Sequence, residues 1–150
     1  MQPFIQITRH AYEEPYNVHL FIAASNGRIR GEIEIYDSVD DLKTLSRKLR
    51  GFPNRQGDEA RWELGSKRPE DRFAFYFRLR VKQVASTGQC AVELRLNNNR
   101  RPPAREVVEF SIPALPADLD RLADLLEEFG KLQHTVLVWN VTDGELRKDA

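Results

Sequence analysis

Residues 72–97 read RFAFYFRLRVKQVASTGQCAVELRLN and contain the clearest alternation of apolar and polar side chains in the chain. Successive side chains of a β-strand point to opposite faces, so each of the segments 72–83 and 89–97 presents one apolar face. The side chains predicted to point inward are Phe73, Phe75, Phe77, Leu79, Val81, Cys90, Val92, Leu94 and Leu96. The pattern predicts an antiparallel hairpin that turns at Ser86-Thr87-Gly88 and has one buried and one solvent-exposed face.

A second hairpin is predicted around Asn26-Gly27, since both central residues of a type I′ turn need positive φ and this pair adopts it readily. The strand before the turn is 17–25, and the strand after it, 28–36, alternates between isoleucine and charged residues. Apolar alternation also predicts strands at 3–9, 61–64, 106–112 and 135–141.

Two amphipathic helices are predicted between the strands. Ser38 is placed to cap the first helix, and the apolar residues from Val39 to Phe52 recur at steps of three and four. Pro116 suits the first position of the second helix, whose apolar stripe ends at Phe129, and Gly130 is expected to supply a left-handed C-terminal cap.

The resulting fold class is α+β, with the element order βββ-α-ββββ-α-β. We expect a mainly antiparallel sheet of about seven to eight strands with both helices packed on one face. The 150 residues suit one domain with one core. Residues 1–141 are predicted to form that domain, and the charged segment 142–150 is predicted to be a frayed tail.

Composition narrows the classes of function. The 23 basic residues are balanced by 23 acidic ones, so no whole-molecule basic field exists and nucleic acid is not expected as a partner. The N-terminus lacks the pattern of a signal peptide, and no apolar run approaches the roughly 20 residues that span a bilayer. The single cysteine, Cys90, has no partner for an internal disulfide. We expect a cytoplasmic protein without a membrane anchor.

No catalytic or metal-binding motif stands out. His10, His19 and His134 lack the spacing of metal ligands, and Cys90 is predicted to pack as a small apolar side chain. The glycines are dispersed and form no phosphate loop. The sequence therefore predicts no catalytic residue, no cofactor and no metal, and an enzyme is not expected.

A row of basic residues lies on the outward face of the hairpin predicted for residues 72–97. The predicted partner-binding surface consists of Tyr76, Arg78, Arg80, Lys82, Arg95, Arg100 and Arg101. If Ser86 pairs with Gln89, Arg80 faces Arg95, and if Val84 pairs with Gln89, Arg78 faces Arg95. Like charges directly opposite each other destabilise a sheet, so either register requires acidic groups nearby.

The acidic groups could come from either of two sources, and the sequence does not decide between them. Glu109 or Glu63 on neighbouring strands would complete a solvated lattice of charges. Alternatively, an acidic partner protein or a polyanion would supply them. Tyr76 and Tyr36 are candidate anchoring aromatics for such a partner.

Several segments resemble a family of small bacterial proteins of unknown function. They are 24–28 (ASNGR), Gly31, Tyr36, Leu49-x-x-Phe52-Pro53 and 86–93 (STGQCAVE). Relatives of that type are associated with immunity-like proteins found near polymorphic toxins. The resemblance rests on turns and core positions, so it implies a fold and a protein partner but no catalytic residues.

The leading hypothesis is thus a non-catalytic bacterial module that binds another protein through the polar face of its sheet. One alternative is a small-ligand binder or enzyme with a pocket between sheet and helices, where His19, His134 or a carboxylate converge. The other alternative is a structural homo-oligomer.

Overall fold

The structure is a computed structural model that describes residues 2–148. The described residues form two helices, α1 (Val39–Leu49) and α2 (Pro116–Phe129). Their strands are β1 (Phe4–His10), β2 (Asn17–Ser25), β3 (Arg30–Ser38), β4 (Glu59–Gly65), β5 (Tyr76–Gln83), β6 (Cys90–Asn97), β7 (Val107–Ala114), β8 (Val136–Asn140) and β9 (Gly144–Arg147). The α+β class and the predicted element order are confirmed, with one further strand at the end.

The strands form two antiparallel sheets rather than the single sheet that was predicted. Sheet A has the strand order β3-β2-β1-β8-β9, and sheet B has the order β4-β5-β6-β7. All neighbouring strands in both sheets run antiparallel, as the hairpin connections predicted.

Strand β3 brings the two sheets together. Near its start, Gly31 packs against Leu96 of β6 and Val108 of β7, so closely that an added Cβ would lie 2.8 Å from Leu96 Cδ1. Near its end, the indole Nε1 of Trp62 on β4 donates to Asp37 Oδ2 at 2.8 Å. Strand β3 therefore crosses sheet B from β6 and β7 at one end to β4 at the other.

The helices pack against each other and against both sheets. Ser46 Oγ of α1 donates to the carbonyl oxygen of Ala123 in α2 at 2.7 Å. Trp139 of sheet A donates its indole N–H to the carbonyl oxygen of Asp118 in α2 at 2.8 Å, and α1 contacts β4 of sheet B. The inner faces of both sheets share one apolar core with the helices. This arrangement leaves the outer face of each sheet to solvent.

Local predictions about caps and turns have mixed outcomes. Ser38 caps α1 by accepting from the backbone N–H of Asp41, as predicted. Gly130 is right-handed with φ −64°, so the left-handed cap expected there is wrong. In the β2–β3 turn only Gly27 has positive φ, and Asn26 Oδ1 instead accepts from the N–H groups of Arg28 and Ile29.

Two longer segments also differ from expectation. Strand β5 begins at Tyr76 rather than at residue 72, because a short 3-10 helix (Pro69–Asp71) and a left-handed Arg72 precede it. Phe73, which was predicted to point inward, is consequently exposed, so that prediction is wrong. Residues 144–147, expected to belong to a frayed tail, form β9 and pair with β8. Residues 149–150 of that expected tail lie outside the described range.

Candidate binding surfaces

The hairpin of β5 and β6 adopts one of the two predicted registers. The backbone N–H of Val84 donates to the carbonyl oxygen of Gln89 at 2.8 Å. Arg78 consequently lies opposite Arg95, and Arg80 lies opposite Glu93. The unfavourable arginine pair anticipated from the sequence is therefore present on the outer face of sheet B.

Internal carboxylates pair with this row of basic residues. Glu109 of β7 binds both Arg78 and Arg95, and Glu93 of β6 binds both Arg80 and Lys82. Burial opposes ionisation of Glu93, but the hydrogen bonds from Lys82 and Arg80 outweigh it and lower the pKa of that carboxyl. The four cations thus take part in a lattice of charges within the sheet.

Tyr76 belongs to the same face but is not exposed. Its side chain is only 5% exposed, and its hydroxyl donates to Glu63 Oε2 at 2.5 Å. Burial and this bond raise the pKa of Tyr76, while the same bond lowers the pKa of Glu63. Tyr76 therefore holds Glu63 in place and is not an anchoring aromatic at the surface.

Arg100 and Arg101 lie away from that row and line a different feature, an opening of about 300 Å³ between two loops. We call it the basic pocket. The cationic residues that line it are Lys67, Arg68, Arg72, Arg100, Arg101 and Arg105. Arg68 is bound to Asp71 at 3.2 Å. Among residues 2–148, the other five have no carboxylate oxygen within 4.0 Å.

A run of asparagines fixes the two loops of the basic pocket. Asn99 has a left-handed backbone, with φ 52°. Its Nδ2 donates to the carbonyl oxygens of Ser66 at 2.7 Å and Phe73 at 3.1 Å, which ties one loop to the other. Asn98 Oδ1 accepts from the backbone N–H of Glu106 at 3.0 Å, and its Nδ2 donates to the carbonyl oxygen of Ala104 at 2.9 Å.

The outer face of sheet A carries a cluster of rings, here called the aromatic face. Its members are His10, Tyr12, His19, Phe21 and Tyr36. The rings of His19 and Tyr36 are stacked, with centroids 4.4 Å apart and an interplanar angle of 5°. Despite these contacts, Tyr12 is 40%, Phe21 42% and Tyr36 46% exposed. The face therefore combines mutual packing with substantial ring exposure.

Strand register and loop bonds position the aromatic face. His19 lies opposite His10 on one side and opposite Tyr36 on the other. His19 Nε2 lies 2.6 Å from Glu34 Oε2, which fixes the orientation of the imidazole. The loop that carries Tyr12 is held by an ion pair of Arg9 with Glu14.

The histidines and the cysteine that the structure describes do not converge on a common site. His10 and His19 are adjacent, whereas His134 lies at the loop before β8. The described residues contain no group of three or more histidine, cysteine, aspartate or glutamate side chains arranged to hold a metal. Cys90 is buried, as predicted, and burial raises the pKa of its thiol.

Sequence reasoning missed most of both surfaces. Of the aromatic face it singled out only Tyr36 as an anchoring aromatic, although His19 and Phe21 occupy alternate positions of a strand whose intervening residues are apolar. That alternation was the available signal. Of the basic pocket it identified only Arg100 and Arg101, because Lys67, Arg68 and Arg72 are distant in the sequence.

No protein-family model matches the sequence, and no curated protein is significantly similar to it. A solved structure described as that of the plant transcriptional regulator PBF-2 is similar over 87% of this chain and 76% of that chain. The sequence identity is 12% and the TM-score 0.49. Such a likeness has no bearing on function. Separately, neither described helix is long and apolar enough to span a bilayer.

Proposed function

We propose that this chain is a non-catalytic binding protein that recognises another protein through the aromatic face of sheet A. The observation that carries the proposal is the cluster of five touching rings, of which Tyr12, Phe21 and Tyr36 are each at least 40% exposed. Aromatic residues, tyrosine above all, supply much of the binding energy at protein interfaces.

The rings are also held in place before any partner binds. His19 is fixed by Glu34 and by the stacked ring of Tyr36. Side chains that are already ordered lose less conformational entropy on binding, so more of the contact energy appears as affinity. The basic row of sheet B is a weaker candidate, because its cations already contact Glu93 and Glu109.

We further propose that the protein acts in the bacterial cytoplasm, where its single cysteine stays reduced. The resemblance to immunity-like proteins implies that the partner is a toxin protein.

The test is affinity capture on the immobilised protein, followed by measurement of the dissociation constant for the captured partner. The variants Phe21→Ser and Tyr36→Ser should each weaken binding about 30-fold, as expected for hot-spot residues worth about 2 kcal/mol. Val84→Ser is the matched control, since Val84 is an exposed apolar residue outside the aromatic face. Its affinity should equal that of the wild type.

Two outcomes would overturn the proposal. One is an affinity that Phe21→Ser and Tyr36→Ser leave unchanged. The other is self-association, seen by light scattering and abolished by Phe21→Ser, which would instead assign the aromatic face to a homo-oligomer.

A further inference from the structure

The basic pocket is a second feature, independent of the aromatic face, and neither the charge lattice of sheet B nor the proposed partner accounts for it. Six cationic residues line an opening of about 300 Å³. The formal net charge of the whole chain is zero, so this local excess of cations does not follow from the overall composition. Like charges held close together repel, so an anion that entered the pocket would relieve that repulsion.

Hydrogen bonds to the backbone fix the two loops that carry the cations. The bonds from Asn99 Nδ2 to the carbonyl oxygens of Ser66 and Phe73 join the two loops, and Asn98 closes the loop that carries Arg100, Arg101 and Arg105. The backbone N–H of Ala104 also donates to the carbonyl oxygen of Arg101 at 3.0 Å. A site whose backbone is ordered in advance binds its ligand with a smaller entropic penalty.

The residue types indicate phosphate rather than carboxylate. Five of the six cations are arginines, whose planar guanidinium groups bind phosphate oxygens in pairs. So many guanidinium groups in one small opening suit a ligand with several linked phosphates. The volume is at the lower limit for small-molecule sites, which run from about 300 Å³ upward.

An aromatic ring completes the pocket. Phe73 lines its wall and is 52% exposed. Its backbone carbonyl is held by Asn99 at 3.1 Å, so the position of the residue is fixed. An exposed ring beside guanidinium groups provides a stacking surface for a planar heterocycle.

We infer that the basic pocket binds a nucleoside di- or triphosphate, with the phosphates on Arg72, Arg100 and Arg101 and the base on the ring of Phe73. A long nucleic acid fits less well, because it needs an extended basic track and repeated stacking residues. The neighbouring outer face of sheet B offers no such track, since its cations contact Glu93 and Glu109.

The test is isothermal titration of the full chain with ATP, with inorganic tripolyphosphate and with adenosine. ATP should bind tightest, tripolyphosphate more weakly, and adenosine not measurably. Raising the salt concentration should weaken both phosphate ligands, because exposed charges are screened. Absence of ATP binding at millimolar concentration overturns the inference.

Variants separate the two halves of the site. The double variant Arg72→Gln/Arg101→Gln should weaken ATP and tripolyphosphate about 30-fold or more. Phe73→Leu should weaken ATP about tenfold and leave tripolyphosphate unchanged. The control Arg28→Gln/Arg55→Gln removes two exposed arginines outside the pocket and should change nothing. If the control variant loses as much affinity for ATP as the test variants do, the assignment of the site is overturned.

Other anions serve as competing probes. A ten-nucleotide single-stranded DNA or a poly-glutamate peptide that binds while ATP does not would overturn the inference in favour of nucleic acid or an acidic protein. All variants concern exposed side chains, and matching thermal melts with the wild type show that a lost signal is not lost folding.

Discussion

Arg78 lies directly opposite Arg95 across the β5–β6 hairpin, and Glu109 on the next strand binds both guanidinium groups. Two like charges in register would by themselves destabilise the hairpin. The carboxylate converts that repulsion into a bridge that also connects β7 to β5. Arg80 and Lys82 likewise share Glu93, so all four cations of this row already contact a carboxylate of the same sheet. The aromatic face of sheet A is therefore the better candidate for binding a partner.

Replacing Glu109 by glutamine should expose that repulsion. We expect Glu109→Gln to lower the free energy of unfolding by about 1 kcal/mol, a modest value because the carboxylate is half exposed and water screens the pair. For a chain of this length the melting temperature should fall by about 2–4 °C. Urea denaturation measures the change.

A second substitution checks the cause. Adding Arg95→Gln to the Glu109 variant removes one of the opposed charges and should restore part of the lost stability. If Glu109→Gln unfolds at the same urea concentration as the wild type, the bridge contributes nothing and the lattice is incidental.

Asp37 should make stability depend on pH. Burial, together with the hydrogen bond to Asp41, raises the pKa of Asp37 from 3.8 to about 7. The folded state then holds this proton more tightly than the unfolded chain. The stability that results is fully present below pH 3.8 and is lost as the pH rises through about 7. The carboxyl is partly exposed, so we expect about 2 kcal/mol after solvent screening.

The measurement compares unfolding free energies of wild type and Asp37→Asn across this pH window. The wild type should lose stability relative to the variant as the pH rises, since asparagine does not ionise. Asp40→Asn, which alters an exposed neighbour, should keep the wild-type slope. Identical slopes in all three proteins would contradict the raised pKa.

A side chain at Gly31 should destabilise the contact between the two sheets. An added Cβ would lie 2.8 Å from Leu96 Cδ1 and 3.2 Å from Val108 Cβ. The leucine tip can move but the valine Cβ cannot, so Gly31→Ala should lower the free energy of unfolding by about 1–2 kcal/mol. The double variant Gly31→Ala/Leu96→Ala should lose less than the sum of the two single losses. Strict additivity would argue against the close contact between the sheets.

The sequence predicted individual elements well because each depends on a local pattern. Ser38, the apolar stripe of α1 and the alternation in β5 and β6 all act within one element. It left the register of the β5–β6 hairpin open, since pairing Gln89 with either Val84 or Ser86 keeps the apolar residues on one face. It also could not separate one sheet from two, because that depends on long-range strand pairing, in which β1 pairs with β8 from the far end of the chain and β3 does not pair with β4.

Phe73 shows how a local pattern can mislead. The alternation of phenylalanines begins before the first residue of β5, but Arg72 has a left-handed backbone with φ 55° and the chain does not enter the strand until Tyr76. Asn99 takes up the carbonyl of Phe73 instead of a strand partner. The aromatic face was missed for a related reason, because its rings come from three strands and a loop that only tertiary structure brings together.

Site-specific photocrosslinking tests the proposed function most directly. A photoreactive phenylalanine analogue is placed at position 21 on the aromatic face or at Ser111 on the exposed outer side of sheet B, and the full chain is irradiated with its captured partner. We predict a cross-link to a different protein from position 21 and none from position 111. Cross-links only from position 111, or none from position 21 in a complex that is otherwise intact, would contradict recognition through sheet A.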